Sequence, residues 1–228
     1  MAQTFSRLTI GRRLAVLVAG LSLGILVVLG VSLVKLHDEL MADRQDQTRR
    51  LVETAASLVD AYRAMAAEGA MPEADARAEA LERLAALRYD GQQYFWVNAM
   101  DGTMLRHPVN PELDGASVLH LVDDNGERIF ADMIDLVRAE GGGFYNYLWS
   151  TPESPEARLK VSYVEGVPDW GWVIGSGIYV DDVEEAFRAQ ALVLGGIGAA
   201  VLLLAVLLGT VVARGISRPL GRITAQTR

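Results

Sequence analysis

The sequence predicts an α+β fold: a long N-terminal helix and a five-stranded antiparallel sheet, set between two transmembrane helices. Three observations carry that expectation. Two uncharged apolar runs, 14–34 and 191–213, bracket a polar block at 35–190. The block opens with apolar residues at helical spacing, and beyond Gly91 the spacing turns to the alternation of strands.

Each apolar run is long enough to cross the ~30 Å hydrocarbon core as a helix. Residues 1–13 carry Arg7, Arg12 and Arg13, and residues 214–228 carry Arg214, Arg218, Arg222 and Arg228, with no acid in either segment. The positive-inside rule then puts both ends in the cytoplasm and the block outside. The first run exceeds a signal-peptide core, so it is expected to remain as an anchor. All 29 Asp and Glu lie in the block against 14 of the 21 bases, a formal charge of −15. That field argues against nucleic acid as a partner, and an anionic ligand would need a local cationic pocket. The absence of cysteine fits an oxidising compartment. Gly20-x-x-x-Gly24 would let two copies of the first span approach closely.

Within the block, Leu51, Ala55, Leu58, Tyr62 and Met65 recur at spacings of four and three. They predict one helix continuing from the first span, its lower part paired with a second subunit as a parallel homodimer and its upper part packed on the domain; the alternative is a helix packed only within its own chain. Gly69 ends it. Pro72, Glu73 and Asp75 start a shorter helix with Leu81, Leu84 and Ala85 on its apolar face. Strands follow at 93–100 and 103–108 around Asp101-Gly102, a two-residue hairpin signal. Phe130, Met133, Ile134 and Val137 mark a helix over 127–140 that the glycines 141–143 stop. Three more strands are expected at 144–149, 158–165 and 172–180, and residues 181–190 lead as a helix into the second span.

The hairpin has a geometric consequence. With Asp101 and Gly102 as the loop, Asn98 pairs with Leu105, Val97 with Arg106 and Trp96 with His107, so Tyr94, Trp96 and His107 share one face. Tyr145, Tyr147 and Trp149 alternate onto one face of the next strand. Lys160 and Ser162 then share a face, with Val161 and Tyr163 on the other. Lys160 is also unusual in composition, because the only other lysine is the membrane-flanking Lys35 among 19 arginines. A compact point charge in a β-rich segment suits a small carboxylate, held by Lys160, His107 and tyrosine hydroxyls; the alternative is a solvated strand lysine.

Further along, Tyr94-Phe95-Trp96-Val97, Asp101-Gly102, His107-Pro108, Asp124-Asn125-Gly126, Tyr147-x-Trp149, Lys160-x-Ser162-Tyr163-Val164 and the stretch from Gly171 to Asp182 occur in order, after Arg88-Tyr89. This pattern resembles the single Cache domain, type 2, of bacterial chemoreceptors. The resemblance implies a PAS-like sheet behind the long helix and recognition of short carboxylates. It implies Arg88, Tyr89, Tyr94, Trp96, His107, Tyr147, Lys160 and Tyr163 as ligand-binding residues. Arg214-Gly215-Ile216-Ser217-Arg218-Pro219-Leu220 resembles the start of a HAMP linker, over residues 214–228. The chain ends at Arg228, so the output is expected from further sequence or from another chain.

The function expected is a transmembrane chemoreceptor of the methyl-accepting type, relaying a small extracellular ligand across an inner membrane. The same input module also precedes histidine kinases and diguanylate cyclases. A structural membrane protein that binds nothing is a further class. Three histidines, no cysteine and no nucleophile-base-orienter set speak against an enzyme. No cofactor is expected, and no metal: Asp123-Asp124-Asn125-Gly126 lacks EF-hand spacing and reads as a turn before a helix.

Overall fold

The computed structural model describes residues 10–91, 93–152 and 154–225. Arg7 and Arg228, used above for orientation, lie outside the described residues. The chain forms two compact units, 40–184 and the terminal segments 1–39 with 185–228.

The terminal unit contains the apolar parts of helix α1 (Ile10–Ala67) and of the C-terminal helix α4 (Val180–Ala225). By length and composition both are long and apolar enough to cross a membrane, with a mean hydropathy of 2.8 in the richest window of each. Glycines on α4 let the two helices approach: side chains added at Gly198 and Gly209 would run into Leu29 and Val18. Gly20 and Gly24, singled out by their spacing, meet nothing within 4 Å in the chain.

The larger unit is built on a sheet of strand order β4-β3-β7-β6-β5, antiparallel throughout. Its strands are β3 (Trp96–Ala99), β4 (Met104–Arg106), β5 (Gly142–Thr151), β6 (Ser154–Val167) and β7 (Trp172–Tyr179). A two-stranded ribbon, β1 (Arg88–Tyr89) with β2 (Gln93–Tyr94), precedes it and was not foreseen. Asp90 and Gly91 supply the positive φ angles that its tight turn needs.

Helices pack on both sides of the sheet. On one side, Val52, Ala55, Ala56 and Val59 of α1 and Ala76, Ala80 and Leu84 of α2 (Glu73–Ala86) cover Phe95, Val97, Trp172 and Ile174. The buried stripe of α1 therefore sits about one residue from the expected one, and Leu51, Leu58 and Tyr62 fall on its flank. Helix α3 (Ile129–Glu140) covers the other side through Ile129, Phe130, Met133, Ile134 and Val137. Val118, Leu113 and Leu121, from the long segment before it, complete that layer.

Two carboxylates tie this segment down. Asp114 accepts from the His107 backbone N–H at 2.7 Å and pairs with Arg106 at 3.0 Å. Asp123 accepts from the Asn125 and Glu127 backbone at 2.8 and 3.0 Å, while its other oxygen takes the Leu148 N–H of β5 at 2.9 Å. Asp123 is thus a turn anchor, and no metal-holding group of three or more candidate ligands occurs among the described residues.

The hairpin differs in detail from the expected one. Ala99 N–H donates to the Thr103 carbonyl and Asn98 lies opposite Met104, so the loop has three residues, with Gly102 at φ +87°. A register shift then restores the pairing of Val97 with Arg106. Two offsets of opposite sense cancel, and His107 stays on the face of Tyr94 and Trp96.

Gly175 on β7 faces Trp96 across the strand pair, and an added Cβ would overlap the indole carbons. Trp96 is almost fully buried and cannot yield. Gly175→Ala should therefore lower stability by about 1–3 kcal/mol, read as a lower denaturant midpoint by tryptophan fluorescence; an unchanged midpoint would show that the indole has room to shift.

Candidate functional site

The α3 side of the sheet gathers a set of rings and polar tips around one ammonium group. Lys160 sits mid-strand on β6, opposite Tyr147 of β5 and Tyr179 of β7. Strand alternation sends its side chain to the α3 side, where it is 1% exposed. The ammonium donates to the Tyr94 hydroxyl at 3.1 Å and lies 4.3 Å from the Tyr94 ring and 5.3 Å from the Trp96 and Tyr179 rings. His107 stacks at 5.1 Å on Tyr94 and 5.6 Å on Trp149. Ser162 donates to the Tyr147 hydroxyl at 3.3 Å, and Phe130 and Tyr147 both stand edge-on to Trp149.

Among the described residues no buried carboxylate stands beside this cation. Asp123 is the one buried acid among the described residues, and backbone N–H groups occupy it. Burying an ammonium without a counter-ion is expensive, so the group gives up part of its proton affinity instead. Desolvation first, and then the positive field of Arg158, pull the Lys160 pKa down to about 7. The phenols offer no negative charge, since desolvation drives Tyr94 and Tyr147 upward.

His107 is neutral for two reasons. Desolvation, and then repulsion from Lys160, lower its pKa to about 3. Its Nδ1 accepts from the Asn110 backbone N–H at 2.9 Å, so the neutral ring carries its proton on Nε2. The imidazole is thus a fixed donor without charge.

Several donors lie around Lys160: the Trp96 indole N–H is buried without a hydrogen-bond partner, and the buried Trp149 N–H and Tyr179 hydroxyl have only the neighbouring Tyr94 and Arg158 beside them. Buried donors are rarely left unpaired. With the ammonium they suit a small anion that accepts from several directions.

Of the eight residues expected at the site, five come together here: Tyr94, Trp96, His107, Tyr147 and Lys160. Three do not. Tyr163, one residue out of phase with Lys160 and Ser162, points to the α1 side and packs on Phe144 at 4.9 Å. Tyr89 also lies on the α1 side; it bonds the Ser176 hydroxyl at 2.7 Å, which donates to the Tyr94 carbonyl at 2.6 Å. It supports the strand that carries Tyr94. Arg88 is exposed and donates to the Ala85 and Leu87 carbonyls, closing the end of α2. Trp149, Tyr179, Ser162 and Asn110 were not among the expected residues. Trp149 was legible as the next same-face position after Tyr147, whereas Tyr179 depends on the β6–β7 register and Asn110 on a loop.

A long helix and a PAS-like antiparallel sheet, with a cationic ring cluster on the far side, define a sensor module of the Cache class. The chain belongs to the single Cache domain 2 family, whose model matches residues 40–192. A methyl-accepting chemotaxis protein of Pseudomonas putida, McpP, is 36% identical over 218 residues, 95% of this chain and 40% of that receptor. The chain thus spans about two fifths of that relative's length. A solved periplasmic sensor domain of a chemotaxis protein is 47% identical with a TM-score of 0.60, covering 61% of this chain and 97% of that one. A second solved Cache chemosensory domain, described for its recognition of carboxylic acids, is 36% identical at a TM-score of 0.60. That match covers 63% of this chain and 98% of the other.

The buried lysine has a stability signature. Unfolded, it titrates near ~10.4, whereas in the folded, ligand-free chain it titrates at about 7. Between pH 7 and 9 the unfolded state holds more protons, so stability should rise with pH, by up to ~1.4 kcal/mol per unit. Lys160→Met should be more stable at pH 7 and lose this dependence, as measured by urea unfolding. A stability that stays flat over the same range would show that a counter-charge keeps the ammonium protonated.

Proposed function

We propose that this chain is the input portion of a chemoreceptor whose sensor domain binds a small monocarboxylate at Lys160. The observation that carries the reading is the uncompensated Lys160 ammonium, ringed by buried donors. A carboxylate would supply the missing charge. Its oxygens would accept from Lys160 and from the N–H and O–H tips of Trp96, Trp149, His107 and Tyr179. A single cation beside neutral imidazole and phenols matches one negative charge. The carboxylic-acid-binding Cache domain similar to this one supports the same chemistry.

The chain crosses the membrane twice, at 14–34 and 191–213, with the domain at 35–190 in the periplasm and arginine-rich ends inside. Two copies associate in parallel along α1, and residues 214–228 begin a HAMP linker to a cytoplasmic chemotaxis output. The domain binds its ligand without consuming it. Only the ligand's differential affinity for two arrangements of the domain drives the response.

A thermal-shift screen of the chain in detergent against C2 to C4 monocarboxylates should raise the melting temperature for at least one acid. In calorimetry, Lys160→Ala should weaken that acid by ~2 kcal/mol or more, over 30-fold. Undiminished affinity would reject the assignment. Affinity for the native chain should hold steady below pH 7, where Lys160 is charged, and fall about tenfold per unit above it.

A further inference from the structure

The Tyr179 ring is shared by two cations. Lys160 Nζ lies 5.3 Å from its centre on the ligand side, and the Arg158 guanidinium carbon lies 3.8 Å from it. Arg158 stands two residues before Lys160 on β6, so both side chains leave the same face. Its Nη1 bonds Asp181 at 2.9 Å and lies 3.7 Å from Asp182. Both acids are in the first turn of α4, directly after Tyr179. A continuous set of contacts thus runs from the buried ammonium, through one ring and one guanidinium, to the start of the helix that leads to the second apolar run.

We propose that Arg158 links the occupancy of the Lys160 site to the first turn of α4, gripping Asp181 and Asp182 more or less tightly according to the net charge at Lys160. This rests on the carboxylate reading given above. In the empty, protonated site two cations repel each other across Tyr179, which weakens the hold on Arg158. A bound anion cancels the charge of Lys160, the repulsion falls, and Arg158 settles more firmly on the two acids. By reciprocity, whatever changes the grip on Arg158 must change the proton affinity of Lys160.

Other groups face Lys160 as well, and none of them carries the charge that the link needs. Tyr94 from β2, Tyr147 from β5 and Tyr179 from β7 are phenols that burial keeps protonated. His107, from the segment after β4, is neutral, and α3 contributes the apolar Phe130. Within its own strand, Arg158 is the neighbour whose positive field lowers the Lys160 pKa.

The test uses the two-lysine composition of the chain. Carbon-13 labelling of lysine Cε in the full chain in micelles gives two resonances, and Lys35→Arg identifies that of Lys160. Arg158→Gln, with Arg158→Ala as a second variant, should raise the Lys160 midpoint by about half a pH unit or more. Asp181→Asn with Asp182→Asn should lower it while Arg158 is present and leave it nearly unmoved in the Arg158→Gln background. Equal effects of the acids in both backgrounds, or no effect of Arg158, would overturn the link. Acetate and propionate, titrated into the native chain, should raise the Lys160 midpoint. If these and the other C2 to C4 monocarboxylates leave it unmoved while the Arg158 pattern holds, the carboxylate reading fails and the electrostatic link stands. A ligand-induced shift without the Arg158 pattern has the opposite meaning.

Discussion

The domain is organised around a positive charge that it buries and does not neutralise. A lysine in the interior, 1% exposed and without a buried carboxylate beside it, is a standing cost in the ligand-free state. Rings soften that cost, because the faces of Tyr94, Trp96 and Tyr179 present negative quadrupole to the ammonium. They do not remove it, which leaves the lysine near the point of losing its proton and the Trp96 indole N–H without an acceptor. A small anion answers both shortages together.

The two sides of the sheet divide the work. On the α1 side, small residues such as Ala55, Ala56, Ala76 and Ala80 let helices lie close, and the polar contacts are the structural ones of Tyr89 with Ser176. On the α3 side the helix packs beside large rings, and the polar tips of Lys160 and Tyr94 meet among them. The partition follows from period-two alternation along β3, β6 and β7, which also carries Arg158 and Lys160 on one face.

Much of this was legible in the chain because strand alternation is a local rule. Lys160 with Ser162, and Tyr145 with Tyr147 and Trp149, could be assigned to shared faces without knowing the fold, and the same rule set Tyr163 apart. The hairpin was harder. Its three-residue loop and the later register shift cancel, so the inferred position of His107 was right although the intermediate pairing of Asn98 was not. The β1–β2 ribbon has only two residues in each strand, too few for a periodic signal. Tyr179 and Asn110 reach the site through long-range register and loop geometry. Arg88 and Tyr89 recur in the order and spacing of the motif, and their side chains bond within the scaffold.

The Asp123 carboxylate has a consequence for the edge of the sheet. β5 is the border strand of the sheet, and one of its outward amides, at Leu148, is already claimed by that side chain. The stretch that roofs the ring cluster is therefore stapled at both ends, to β4 through Asp114 and to the border through Asp123. The two carboxylates fasten that stretch to opposite edges of the sheet. The same fastening denies a foreign strand one of the amides it would need to extend the sheet.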